Sequence, residues 1–266
     1  MATDKKVIRV EGGESTPAQQ GTGKTFVPTP ESKGKATQLR LIACILWFLA
    51  ICAEIGAILV LIKGPKPIGT STWIWLIVLI VIDLILVIIG SQIWKSANRL
   101  DPASEKDKFK FFIQNQLGVI IAVIAFLPLV LLIFTNKDLS GKQKGILGGI
   151  AVIALLIAGV TSADFNPPSV EQYTKQTNRV EELTGGKNEV FWTKSGTKYH
   201  LYDDCSSINT KRTEQIYSGT VAQARELKNI TELCKICEKR AEKEKGLDET
   251  PAPVSQPDQS PQPGGN

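Results

Sequence analysis

Apolar residues are concentrated in the middle of the chain. Between Leu41 and Phe165 they form four long runs, whereas residues 1–40 and 166–266 are rich in Lys, Glu, Thr, Ser, Gly and Pro. Each run approaches or exceeds the length of about 20 residues that a helix needs to cross a hydrocarbon core. The runs cover about residues 41–62, 73–94, 111–134 and 146–163. The pattern therefore predicts four transmembrane helices within residues 37–165.

Helices fit these runs better than barrel strands do. None of the runs alternates apolar and polar residues, and a backbone in lipid must satisfy its own hydrogen bonds. Trp73, Trp75 and Trp94 lie at the two ends of the second run, where aromatic rings favour the headgroup region. The sequence predicts a multi-pass membrane protein, and the lipid bilayer is its first expected partner.

The polar parts of the chain divide into tails, a linker and a module. Residues 1–36 and 247–266 have too few apolar residues to offset the entropy of ordering, so both tails are expected to be disordered. Residues 166–186 predict a linker helix, because Ser169 and Gln172 form a capping box. This helix is expected to dock on the module that follows, residues 187–246, or to pair with a second copy of itself.

Lys and Arg are distributed unequally between the two sides of the predicted bundle. With a cytoplasmic N-terminus, the inner segments near the spans hold eleven such residues and the outer loops hold five. The outer five are Lys63, Lys66, Lys137, Lys142 and Lys144. The positive-inside rule then predicts that both termini are cytoplasmic in a plasma-membrane protein. Loss of the fourth and weakest span would place the module outside.

Two acidic residues, Glu54 and Asp83, fall deep within the first and second runs, where a carboxylate is costly. No Lys, Arg or His lies deep in any run to neutralise them. One interpretation is structural: protonated carboxyls that hydrogen-bond a neighbouring helix, with three polar residues of the third run as candidate partners. These are Gln114, Asn115 and Gln116. The other interpretation is functional: a small transporter or a proton-coupled membrane sensor.

The module contains a spacing of His and Cys residues that is typical of a metal site. Four residues separate His200 from Cys205, twenty-eight separate Cys205 from Cys234, and two separate Cys234 from Cys237. Zinc favours four tetrahedral nitrogen and sulfur ligands, and two close pairs supply them from a short chain. Because no fifth ligand is evident, we expect one structural zinc ion per chain.

Other chemistries of the same residues are less consistent with the pattern. Cys234 and Cys237 would suit a redox dithiol, but the strand–helix–strand unit that normally surrounds such a motif is missing. A disulfide would leave one thiol over and is disfavoured in a cytoplasmic setting. Iron is a lesser rival of zinc, since histidine and cysteine bind both metals.

Four motifs in residues 191–240 resemble the metal-binding domain of the Ada methyl-phosphotriester repair protein and related small modules of bacterial membrane and surface proteins. They are GTKYH, DDC, IYSGTVAQA and CKIC. The resemblance implies a four-ligand zinc fold, with the last three thiolates at Cys205, Cys234 and Cys237. In the repair protein the first ligand is the methyl-accepting cysteine, whereas here it is His200, with one extra residue before Cys205. Methyl transfer is therefore not implied.

The expected fold class is an α-helical membrane protein, in which a four-helix transmembrane bundle carries a small α+β zinc-binding module at its C-terminal end. No nucleophile and base are arranged in a recognisable catalytic pattern, so we do not expect an enzyme. Residues 185–245 hold twelve Lys and Arg against nine Asp and Glu, which gives only weak support for nucleic acid binding. The expected role is a bacterial membrane anchor for a module used in binding or scaffolding, with a protein partner or self-association.

Overall fold

The computed structural model of the chain describes residues 6–10, 25–64, 69–228 and 230–246. Within these residues the chain forms seven helices and five short strands. The helices are α1 (Pro30–Lys63), α2 (Thr70–Leu100), α3 (Lys108–Thr135), α4 (Gly141–Ser162), α5 (Val170–Thr184), α6 (Val221–Lys228) and α7 (Lys235–Glu244). The strands are β1 (Val7–Arg9), β2 (Val190–Trp192), β3 (Lys198–Tyr199), β4 (Ile216–Gly219) and β5 (Glu232–Leu233).

Helices α1 to α4 are long and apolar enough to cross a membrane, as the four apolar runs predict. Each of the first three is longer than its run, because polar residues extend its ends. Helix α1 has 34 residues and begins where the Thr29 side chain accepts a hydrogen bond from the Ser32 N–H, with Pro30 at its first position. Helix α4 begins at a capping box formed by Ser140 and Gln143. These caps explain why the helices continue into polar sequence.

The four long helices expose a broad apolar surface. Phe48, Trp75 and Val160 are each more than half exposed, and many other Leu, Ile and Val side chains are similarly open. An apolar surface of this extent is unfavourable in water and is typical of contact with lipid. The exposed faces therefore agree with the lengths of the helices in indicating a membrane protein.

Small residues line the faces of α1 and α4 that point into the bundle. Ala43, Ala50 and Ala57 are buried along α1, and α4 contributes a similar row. Gly90 of α2 allows a close approach of α1, since an added Cβ would lie 2.7 Å from Nε1 of Trp47. The Trp47 ring in turn packs against Trp94, with 5.2 Å between ring centroids.

The C-terminal module contains two small sheets around a second apolar core. Strand β4 lies at the centre of the larger sheet, antiparallel to β2 and parallel to β1, and β3 pairs in parallel with β5. Val180 and Leu183 of α5 pack in the same core as Trp192 and Ile216. Helix α5 therefore docks on the module of its own chain.

The start of α5 is fixed to the loop between α2 and α3. The Val170 N–H donates to the Ala103 carbonyl at 3.2 Å. The Glu171 carboxylate accepts hydrogen bonds from the Ser104 hydroxyl and the Glu105 N–H. These contacts place the module against the end of the bundle at which α1 begins and α2 ends.

The N-terminal part of the chain differs from the disorder expected over residues 1–36. Residues 7–9 form β1, which pairs with β4 from Val7 opposite Ile216 to Arg9 opposite Ser218. Phe26 packs edge-on against Tyr173, and α1 is already formed at Pro30. Tertiary contacts with the module supply the burial that this polar sequence lacks on its own. Residues 1–5, 11–24 and 247–266 lie outside the described residues.

Candidate metal centre

His200 is positioned by paired strands. It follows directly after β3, and its backbone exchanges two hydrogen bonds of 2.7 Å with Phe191 of β2. The His200 side chain is buried. A backbone held on both its N–H and its carbonyl fixes the direction in which the imidazole points.

Cys234 and Cys237 lie at the N-terminal end of α7. Cys234 is the N-cap residue of this helix, and its N–H donates to the Tyr199 carbonyl at 2.9 Å. Burial alone would raise the pKa of the Cys234 thiol. Hydrogen bonds with the backbone N–H groups of Cys237 and Ile236 and with the side chains of Cys205 and Ser207 together outweigh burial and lower the pKa. A helix N-terminus stabilises thiolates in this way.

Cys205 lies on a tightly turned loop, which brings it close to Cys234 and Cys237. Its carbonyl accepts hydrogen bonds from the N–H groups of Ile208 and Asn209, at 3.0 and 2.8 Å. The Cys205 side chain is buried among the apolar residues of the module. The loop therefore brings a third sulfur inward against the two at the start of α7.

The four side chains form one group that could hold a metal ion. The candidate ligand atoms of His200, Cys205, Cys234 and Cys237 all lie within 4.8 Å of one another, and all four residues are buried. The distance between His200 Nδ1 and Cys237 Sγ is 3.6 Å. A tetrahedral ion with metal–sulfur bonds of about 2.3 Å and metal–nitrogen bonds of about 2.0 Å separates such ligands by roughly 3.6 Å. The residues present therefore fit a tetrahedral ion with Nδ1 as the histidine ligand.

The electrostatics of the group favour a cation at its centre. Burial, together with the nearby Lys198, lowers the pKa of His200 to about 4, so the imidazole is neutral at physiological pH and free to donate a lone pair. Burial raises the pKa of the Cys237 thiol to about 12. Three sulfurs in a buried space cannot all ionise unless a positive charge balances them, and a bound metal ion supplies that charge.

All four residues predicted from their spacing thus come together. A disulfide or a redox dithiol would require only two of them to be close. A redox dithiol would need only Cys234 and Cys237, yet His200 and Cys205 lie equally within ligand range. The three cysteines of the group are free thiols. The geometry supports a four-ligand metal site over a dithiol.

Glu54 and Asp83 lie in the bundle, far along the chain from the metal group, and both are buried. Glu54 Oε1 accepts a hydrogen bond of 2.9 Å from the N–H of Leu129. The proposed role of Gln114, Asn115 and Gln116 as partners of these acids is wrong. The side chains of these three residues bond to Asp101, Phe111 and Asp164 respectively. They lie one or two turns into α3, near the module, whereas Leu129 lies near the other end.

The role of Arg225 could not be predicted from the sequence. This residue lies on α6 and is fully buried. Its guanidinium donates to the side-chain oxygens of Gln176 and Gln172 on α5 and lies 4.7 Å from the centre of the Tyr173 ring. An arginine in a short polar helix is normally solvated, so only the tertiary arrangement reveals that it joins α6 to α5.

Comparisons with models of protein families, with curated proteins and with solved structures find no match to this chain. The class of protein is therefore described from its own fold and candidate site. Over the described residues, four helices able to span a membrane are followed by a small module in which one histidine and three cysteines converge.

Proposed function

We propose that the chain is a multi-pass protein of a bacterial plasma membrane, whose bundle anchors a zinc-stabilised, noncatalytic module that binds or scaffolds a protein partner. The observation that carries the proposal is the convergence of His200, Cys205, Cys234 and Cys237 within 4.8 Å. Zinc suits one imidazole and three thiolates in tetrahedral geometry, and a site closed by four protein ligands is typical of structural zinc.

The size of the module supports a structural role for the metal. A unit of about sixty residues buries only a small core, and structural zinc contributes about 10 to 16 kcal/mol in zinc-finger peptides. The four ligands come from the residue after β3, a loop and the start of α7. One ion would therefore hold together segments that are distant along the chain.

The position of the N-terminal strand supports an even number of membrane crossings. Because β1 precedes α1 and pairs with β4 of the module, the segments before α1 and after α4 lie on the same side. The excess of Lys and Arg on that side favours the cytoplasm. The resemblance of residues 191–240 to Ada-type modules favours a bacterial origin, and His200 in place of a methyl-accepting cysteine favours binding over catalysis.

Metal analysis of the purified full-length chain tests this function. We expect about one zinc per chain, and loss of most of it in Cys234→Ser and Cys237→Ser. Cys44→Ser and Cys52→Ser are matched controls, because these two thiols lie on the exposed face of α1, and both should retain the metal. Iron in place of zinc would contradict the metal assignment. Equal metal content in all four variants would contradict the site.

Cysteine accessibility in intact cells tests the orientation. Lys211→Cys places a thiol on the exposed surface of the module, and Lys137→Cys places one in the exposed loop between α3 and α4. A membrane-impermeant maleimide should label the loop variant in intact cells and the module variant only after lysis. The opposite pattern would place the module outside the cell.

A further inference from the structure

The two intramembrane acids lie on the faces of α1 and α2 that form the interior of the bundle. Glu54 lies between the buried residues Ala50 and Ala57, and Asp83 lies between the buried residues Ile80 and Val87. The buried residues on both sides of each acid pack in one apolar core, in which the two carboxyls lie near enough for their charges to interact. Both acids are therefore part of the apolar core and do not face lipid or water.

Glu54 fills a defect in the backbone of α3. Pro128 lies inside this helix, and a proline ring displaces the preceding turn and disturbs the hydrogen bonds around it. The N–H of the next residue, Leu129, donates to Glu54 Oε1 at 2.9 Å. The Glu54 carboxyl therefore ties α1 to the proline site of α3, and it does so as a hydrogen-bond acceptor.

Asp83 has no such partner. Its side chain is 1 % exposed, and neither carboxyl oxygen has a hydrogen-bond partner among the described residues. A buried polar group without a partner is costly, and a buried charge without one is more costly still. An orphaned carboxyl beside a second carboxyl indicates a site whose ligand supplies positive charge.

Cationic side chains on the surrounding helices are too distant to supply that charge. At 1.5 Å per helical residue, Lys63 of α1 lies roughly 14 Å along the axis from Glu54, and Lys95 of α2 roughly 18 Å from Asp83. The charged residues of α3 and α4 lie in the first turns of these helices. They are Lys108 and Lys110 on α3 and Lys142 and Lys144 on α4. Among the described residues of α1 to α4, Glu54 and Asp83 are the only charged residue types that are buried.

We propose that Glu54 and Asp83 form an intramembrane proton-binding site beside the Pro128 break of α3, in which one exchangeable proton neutralises one of the two carboxyls. Two neighbouring carboxylates in an apolar core cannot both remain ionised, so one proton neutralises most of the repulsion. Metal cations fit less well, because calcium and magnesium need about six oxygen ligands and the surroundings are apolar. This site goes beyond the anchoring of a metal module. It makes the packing of α1 against α2 depend on protonation.

A hydrophobic carbodiimide tests the site, because it reacts with protonated carboxyls in an apolar environment. In the full-length chain in detergent, mass spectrometry should find the adduct on Glu54 or Asp83, with a yield that falls as the pH is raised. Glu54→Gln and Asp83→Asn should each leave the adduct on the remaining acid only. Glu105→Gln, which removes an exposed carboxyl, is the control and should not change the yield. Protection by sodium or calcium at constant pH would overturn the proton assignment in favour of a cation.

Infrared spectroscopy keeps the proposal testable if the reagent cannot enter the bundle. Protonated carboxyls absorb at higher frequency than carboxylates, and their band shifts in heavy water. Glu226 also holds a proton below about pH 7, so the band of interest is the one present in the wild-type chain and missing from the double variant E54Q/D83N. Identical spectra of the two proteins in this region across the pH range would overturn the proposal. Zinc content should be unchanged in the double variant, so failure here is distinguishable from failure of the metal module.

Discussion

The Tyr173 hydroxyl donates a hydrogen bond of 2.7 Å to the backbone carbonyl of Arg99. Arg99 lies in the last turn of α2, and Tyr173 lies in the first turn of α5. The Tyr173 side chain is buried, and its ring also contacts Phe26 and the Arg225 guanidinium. One side chain therefore connects the bundle, the segment before α1 and the module.

Replacement of Tyr173 by Phe should weaken the contact between α2 and α5 without creating a cavity. The variant keeps the ring contacts but leaves the Arg99 carbonyl without its donor, at a cost of about 1 kcal/mol. Amide hydrogen exchange should become several-fold faster in the first turns of α5. Tyr217→Phe is the matched control, since its hydroxyl bonds only to the nearby, exposed Gln215. Equal exchange in both variants would contradict a role for the Tyr173 hydroxyl.

Replacement of Arg225 by Met should weaken the docking of α6 on α5. The variant leaves the Gln172 and Gln176 oxygens without their donors and lowers the free energy of unfolding of the module by about 2 to 4 kcal/mol. Urea unfolding monitored by hydrogen exchange of α6 measures the loss. Lys228→Met, on the exposed face of the same helix, should cost far less. A double-mutant cycle with Gln172→Ala should show coupling above about 0.5 kcal/mol.

Stability of the module should depend on pH through Glu226. Burial raises the pKa of this carboxyl from 4.5 to about 7, an effect that the nearby Lys35 reduces. Between these two values the folded chain holds a proton that the unfolded chain has released. The free energy of unfolding therefore falls as pH rises from about 4.5 to about 7, and the loss persists at higher pH.

Glu226→Gln removes this loss. We expect the variant to exceed the wild type in free energy of unfolding above about pH 7, by on the order of 1 kcal/mol, and to match it below about pH 4.5. Unfolding curves of both proteins across this range give the difference directly. The exposed Glu214→Gln should follow the wild type throughout. A variant that is less stable than the wild type at high pH would contradict the prediction.

Gly90 and Gly149 should respond in opposite directions to alanine. A Cβ at Gly90 would lie 2.7 Å from Nε1 and 2.8 Å from Cδ1 of Trp47, whereas a Cβ at Gly149 meets nothing within 4 Å. Overpacking should cost Gly90→Ala about 1 to 3 kcal/mol, and Gly149→Ala should gain up to about 1 kcal/mol of helix propensity. Detergent-driven unfolding measures both. Similar effects of the two substitutions would show that α1 and α2 are not in this close contact.

Features that depend on neighbouring residues in the chain were predictable from the sequence. The four long helices follow from the lengths of the apolar runs, and the metal group follows from two close pairs of ligands, His200 with Cys205 and Cys234 with Cys237. Spacing limits the geometry of such pairs before any tertiary structure is known. The predicted capping box located the start of α5, although only its Ser169 half forms, because the Gln172 side chain accepts from Arg225 instead.

Features that join distant parts of the chain were not predictable. Glu54 bonds to a backbone N–H, which no residue type marks in the sequence. Arg225 is buried only because two glutamines of α5 face it. Residues 7–9 are too short a segment for an alternating strand pattern to be recognised. Their partner strand β4 lies about two hundred residues further along the chain. In each case the tertiary contact determines the role of the residue.

The parallel pairing of β1 with β4 also bears on how the C-terminal region behaves when it is cut from its membrane anchor. A fragment that starts after α4 lacks residues 6–10 and leaves one side of β4 as an open row of amide and carbonyl groups. Such rows recruit other chains, so the fragment should self-associate through that side. Fusing the pentapeptide of residues 6–10 to the fragment through a flexible spacer would return a monomer.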